Sequence, residues 1–125
     1  MRFKLEKSEK LKSRKLIEQL FLEGDNVKSF PFRMIFIPVD GEENPRLQVG
    51  FAVPKRNIKL AVNRNRVKRV MREAYRKNKS LFSENLNKKY IFMLVYTARK
   101  EINYAELELA IKKLASKFQI KIQNK

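Results

Sequence analysis

FAVPKRNIKLAVNRNRVKRVMREAYR, residues 51–76, starts as the end of a strand and becomes a strongly basic helix. The strand is LQVGFAV (47–53), and helical periodicity returns near Ala61 and runs to about Asn78. On a wheel of about 100° per residue, Val67, Val70, Met71 and Ala74 form a narrow apolar stripe. Arg64, Lys68, Arg72 and Arg76 climb one flank, Arg66 sits on the other, and Asn65 and Arg69 lie opposite the stripe. One face must therefore dock on a sheet while the rest is nearly all guanidinium and ammonium. Between Lys55 and Lys79 there are 11 basic residues against one acid, Glu73, so this segment holds 11 − 1 = 10 of the 17 net charges. A solvated basic face is the plain alternative. It fails because cations stacked at i and i+4 without acids weaken a helix. Arg also outnumbers Lys, five to two, from Arg64 to Lys77, and its planar fork matches phosphate and base edges. The helix is built to bind nucleic acid.

The rest of the chain supplies a sheet and two further helices. FPFRMIFIPV (30–39) is rich in aromatic and β-branched residues and reads as a strand, with Pro31 and Pro38 confining its paired part to the middle. DGEENP (40–45) is a polar turn, and the strands on either side of it read as an antiparallel hairpin with a long loop. YIFMLVY (90–96) shows no alternation, which predicts a central strand covered on both faces. Ser13 caps a first helix with Leu16, Ile17, Leu20 and Phe21 on one stripe, and Gly24 stops it. Asn103 and Glu106 open a last helix that buries Leu107, Ala110, Ile111, Leu114 and Phe118. Residues 1–12 read as a loose basic lead-in and KFQIKIQNK (117–125) as a frayed basic tail. The order predicts one small α+β domain over residues 1–125, a single sheet with helices packed against it.

Composition bounds the function. The chain has 125 residues, 43% of them hydrophobic, enough for one packed core. Lys and Arg number 30 against 13 Asp and Glu, a net charge of +17 that repels cations and concentrates phosphates. There is no Cys and no His. Disulfides, thiolate zinc sites, Cys or His nucleophiles and His acid–base chemistry are thereby excluded. Asp25, Asp40, Glu42 and Glu43 lie in turns and read as solvated turn acids, so no catalytic residue and no metal ligand is assigned. The apolar run Tyr90–Tyr96 is far too short to cross a bilayer and the first residues lack a signal-peptide core, which predicts a soluble, cytoplasmic protein.

FAVPKRNIKLAVNRNRVKRVMREAYR resembles the signature of the bacterial ribonuclease P protein subunit. Its core is Arg64-Asn65-Arg66, followed by Lys68-Arg69 and Arg72-Glu73-Ala74, with Ala61-Val62 and GFAVPK leading in. LKSRKLIEQLFLEG and YIFMLVYTAR resemble the family's first helix and last strand, so the likeness covers nearly the whole chain. The resemblance implies an α-β-β-β-α-β-α sandwich with a left-handed crossover through the basic helix. Two strands before that helix are plain; a third falls near Val27 or comes from a split at Pro31. It also implies a protein partner, one per RNA, of a catalytic RNA that removes the 5′ leader of precursor tRNA with Mg²⁺ held mainly by the RNA.

Two surfaces are implied. Lys55, Arg56, Arg64, Asn65, Arg66, Lys68, Arg69, Arg72 and Arg76 would face the catalytic RNA. Ile17, Phe21, Phe32, Ile35, Ala52 and Pro54 would line a cleft for the single-stranded leader. Here the chain departs from the family: Ile17 replaces an aromatic, Ala52 and Pro54 replace small hydroxyl residues, and Asn57-Ile58-Lys59 lacks a common Gly. Ile17 and Phe21 fit core equally well, because an apolar helical stripe packs inward by default. Charge and size also suit a ribosomal RNA-binding protein, whereas a free nuclease needs converging acids that the sequence does not show. A helix-turn-helix DNA reader fits poorly, since strands flank the basic helix.

Overall fold

The computed structural model describes residues 9–40, 47–84, 86 and 88–123. In chain order the elements are α1 (Arg14–Glu23), β1 (Asp25–Ser29), β2 (Phe32–Val39), β3 (Leu47–Ala52), α2 (Ala61–Ser83), β4 (Lys89–Tyr96) and α3 (Tyr104–Gln123). The third early strand is β1, at Val27, joined to β2 by a tight turn whose Phe30–Pro31 bond is cis. Sheet order is β1-β2-β4-β3, with β2 antiparallel to both neighbours and β3 parallel to β4.

That order corrects the expected hairpin. β2 and β3 do not pair, because β4 lies between them, with Phe92 opposite Phe36 on one side and Val49 on the other. A run apolar on both faces gains most at the centre, where both faces are covered. Pro38 is also inside the paired stretch, opposite Tyr90. β1 pairs with β2 only as far as Phe36, so the far edge of β2 asks nothing of a residue lacking an N–H.

Alternation along the strands divides the core in two. Phe32, Met34 and Phe36, with Tyr90, Phe92, Leu94 and Tyr96, face α2 and α3. There Phe92 stacks on Phe82 at 5.6 Å and Phe118 meets Phe36 edge-on at 5.0 Å. Burying aromatic side chains of this size dominates core energetics. Ile35, Ile91 and Met93 face the other way and are covered by Leu20 of α1 and by Leu11. The result is three layers, a thin one with α1 and a thick one with α2 and α3.

Several ends are tighter than their composition predicts. Ser13 accepts the Leu16 N–H at 3.3 Å as expected. Gly24 ends α1 in extended backbone, and a Cβ there would run into the Leu20 carbonyl and the Ile35 side chain. Its role is close approach to β2. The described part of the lead-in is docked: Lys10 bridges Val49, Leu11 is buried and Glu9 pairs with Lys79 at 3.1 Å. The tail, taken for a frayed end, stays helical to Gln123. Gln119 donates to the carbonyls of Leu81, Phe82 and Glu84 at the end of α2, and Lys121 pairs with Asp25 at 3.1 Å. α2 itself runs past Asn78 to Ser83, because Asn78 and Phe82 continue its buried stripe.

Candidate nucleic-acid interface

α2 buries Val67, Met71, Ala74, Tyr75, Asn78 and Phe82 against the sheet and α3, which turns its cations outward. Asn65, Arg66, Arg69 and Arg72 are exposed, and Arg64, Lys68 and Arg76 are half-buried on the flanks. Lys55 and Arg56 lie exposed in the turn that leads into the helix. These nine residues therefore form one continuous surface along the helix and its entry. No side chain caps the helix at Leu60, so the unpaired N–H groups and the positive end of the helix dipole add to the field there.

The cations are not equivalent. Lys55, Arg56, Lys59, Lys68, Arg69 and Arg72 have no acid partner among the described residues. Toward the C-terminal end the charges are matched. Arg76 pairs with Glu73, which also lies 3.8 Å from Lys77, and the Arg76 guanidinium holds the Glu73 carboxyl below the usual carboxylate range. Lys77 sits 5.4 Å over the Tyr104 ring and Lys79 is bound to Glu9. The unmatched charge is concentrated on the first half of the helix and the loop before it.

Two Arg residues of the motif also work inside the protein. Arg64 donates to the carbonyls of Ile58 and Lys59 at 3.1 and 2.7 Å, fastening the entry loop to the helix. Arg66 reaches across to Glu101, at 2.7 Å from Nε and 2.8 Å from Nη2. Asn57 ties the same loop to the sheet by donating to the Tyr96 carbonyl at 3.0 Å. Beside these bonds lies an open pocket of about 390 Å³ lined by Arg56, Lys59, Arg99 and Lys100 among others. Arg99 and Lys100 fall outside the sequence-derived surface. They lie after β4, where only the folded chain brings them beside α2.

The expected leader cleft is only partly assembled. Ile17 is partly buried against the α1-side core, and Ala52 lies on the same side. Phe21 is 51% exposed, and Pro54 is half-buried just past β3. Ile35 faces this side but is fully covered, forming the floor beneath α1. Phe32 does not belong: it is 1% exposed in the opposite core, its ring 6.1 Å from Tyr96. Three residues separate Phe32 from Ile35, and in a strand an odd separation puts side chains on opposite faces. Counting back two from Ile35 would have found Arg33, which is half-buried and donates to Asn26 at 2.7 Å. Register adds Val95, opposite both Arg33 and Ala52.

Among the described residues no three Asp or Glu side chains gather to hold a metal ion, and no helix is long and apolar enough to cross a membrane. The ribonuclease P family model matches residues 5–119. The "Ribonuclease P protein component" of Chlorobium phaeobacteroides is 34% identical over 110 residues, covering 86% of this chain and 69% of its own. That of Porphyromonas gingivalis is 36% identical over 93 residues, 74% of this chain and 68% of its own. A solved structure of a Staphylococcus aureus RNase P protein mutant with defective mRNA degradation activity superposes with a TM-score of 0.73 at 18% identity, over 90% of each chain. The RNase P protein from Thermotoga maritima superposes at 0.69 and 19% identity, over 87% of this chain and 96% of that one.

Proposed function

The chain belongs to the ribonuclease P protein family, and from that membership we propose how it serves the enzyme's RNA. It binds the catalytic RNA subunit, one protein per RNA, through the first half of α2 and the loop before it. The six cations there that have no acid partner among the described residues carry this reading. Such charges gain by releasing counterions from phosphates. Asn65, exposed between Arg64 and Arg66, supplies a hydrogen bond to a base, sugar or backbone group. If about six phosphates are neutralised, affinity falls with salt at a log–log slope of about −4 to −5.

The 5′ leader of precursor tRNA lies across the α1 side of the sheet, against Ile17, Phe21, Ala52 and Pro54. Phe21 offers an exposed ring, and stacking an unpaired base on such a ring is worth about 1–3 kcal/mol. Ile17 has no such face, so this cleft depends more on one aromatic. Phe32 is excluded from it by its place in the opposite core.

Cleavage chemistry is carried by the RNA with Mg²⁺. Hard divalent cations want several oxygen ligands together, and the described residues provide no such acid cluster, so no step is assigned to a protein-bound ion. The protein's part is to bind, align and screen charge, in the cytoplasm, with the parallel β3–α2–β4 connection taking the left-handed turn that the resemblance implies. The test is leader removal from precursor tRNA at low Mg²⁺ with protein alone, RNA alone, and both. Cleavage that is far faster with both is expected. Cleavage by protein alone would overturn the reading, and binding without faster cleavage would favour a purely structural RNA-binding role.

A further inference from the structure

Arg66 is held by an acid from outside its own helix. Its Nε and Nη2 grip the two oxygens of Glu101, and Nη2 also donates to Asn63 Oδ1 at 2.8 Å. The Nη1 edge has no partner among the described residues. Glu101 comes from another element, the connection between β4 and α3, and that connection is itself anchored. The Tyr96 hydroxyl donates to the Lys100 carbonyl at 2.7 Å and accepts the Ile102 N–H at 3.1 Å, one residue on either side of Glu101. The Glu101 carboxyl is held below its ordinary range, chiefly by the hydrogen bond from Arg66. An acid within a surface meant for a polyanion lowers the local potential and, on charge alone, costs affinity. Its fixed geometry gives it a purpose that its charge does not.

We propose that Glu101 is a positioning residue for RNA binding: carried on an anchored loop, it fixes the plane of the Arg66 guanidinium so that the Nη1 edge faces outward to a phosphate. The proposal rests on the reading of α2 as the RNA-binding face. A fixed fork loses less freedom when it meets a phosphate than a waving one does. The pair also ties the β4–α3 connection, with Arg99 and Lys100, to the start of α2.

The test compares Glu101→Ala, Glu101→Gln and Arg66→Ala, each checked by thermal unfolding, for binding to the catalytic RNA subunit over a range of salt. Both Glu101 variants remove the same charge, and glutamine alone keeps a carbonyl acceptor for Arg66. Glu101→Ala should bind about two- to tenfold more weakly than the unaltered protein, the worth of one ordinary hydrogen bond. Glu101→Gln should recover most of that loss, and Glu101→Ala should cost nothing further in an Arg66→Ala background. The salt slope should hold in both Glu101 variants and become shallower by about one in Arg66→Ala. Tighter or unchanged binding by Glu101→Ala, or equal effects of Ala and Gln, overturns the proposal, since charge alone would then explain them. An Arg66→Ala variant that binds normally overturns the RNA-face reading as well, whereas a weakened Arg66→Ala beside a neutral Glu101→Ala overturns the positioning role alone.

Discussion

The two halves of α2 are both basic and lead opposite physical lives. From Arg64 to Arg72 the cations outside the motif's internal bonds have no acid partner among the described residues, over a stripe of modest apolar residues, Val67 and Met71. From Glu73 to Ser83 the cations are matched by Glu73, Tyr104 and Glu9, and the stripe widens into Tyr75, Asn78 and Phe82. Asn78 donates to the Ala74 carbonyl at 2.8 Å and to Glu108 at 3.2 Å, joining the helix to α3. One half holds the fold and the other is held out for a partner. A basic residue's role here is set by what stands within reach of it, which residue type alone does not reveal.

Substitutions that follow this division should separate stability from binding. The largest stability effect belongs to the anchored half: Phe82→Ala empties a site packed by Tyr75, Phe92 and Phe118 and should cost about 3–5 kcal/mol in denaturant unfolding. Next comes Arg69→Ala with Arg72→Ala, which should leave unfolding unchanged while making the salt slope of RNA binding shallower by about two. Loss of stability in that double variant would erase the distinction between the halves. Arg64→Ala sits across the boundary. Its two bonds to loop carbonyls predict a loss of about 1–2 kcal/mol in stability as well as weaker RNA binding.

The smallest effect is one of pH. Burial pushes the pKa of Tyr75 and, less completely, those of Tyr96 and Tyr104 above that of a free phenol. A raised value in the folded state means that the stabilisation is complete below the unfolded value, about pH 10, and is lost as pH rises beyond it. Tyrosinate absorbance should therefore appear together with unfolding above about pH 10. Ionisation of all four tyrosines well before unfolding would contradict the packing of Tyr75 and Tyr96.

Much of this was legible in residues 51–76 and 90–96. Periodicity marked the apolar stripe of α2, and the lack of alternation marked β4 as the central strand. The pairing partners were not legible, because β2 and β3 look like neighbours until β4 is seen to enter between them. Period two was available to separate Phe32 from Ile35, and the cleft drawn from resemblance overrode it. The internal bonds of Arg64 and Arg66 were hidden for a different reason. Ile58 and Glu101 lie 6 and 35 residues away from them, and only tertiary structure brings an acid from after β4 to a helix from before it. The docked tail was missed likewise, since Gln119 and Lys121 find their partners on α2 and β1.

β4 is the last strand to be synthesised and the one that both β2 and β3 need. Until Tyr96 has emerged from the ribosome, β1 and β2 form a lone hairpin, which is marginal in water, and β3 lacks its parallel partner. α2 has by then been made, but its apolar stripe has no sheet beneath it and its crowded cations oppose an isolated helix. The sheet therefore cannot close before β4 emerges, and the main core waits further for Ile111, Leu114 and Phe118 of α3. Before then, the nascent chain trails a strongly positive ribbon beside ribosomal RNA.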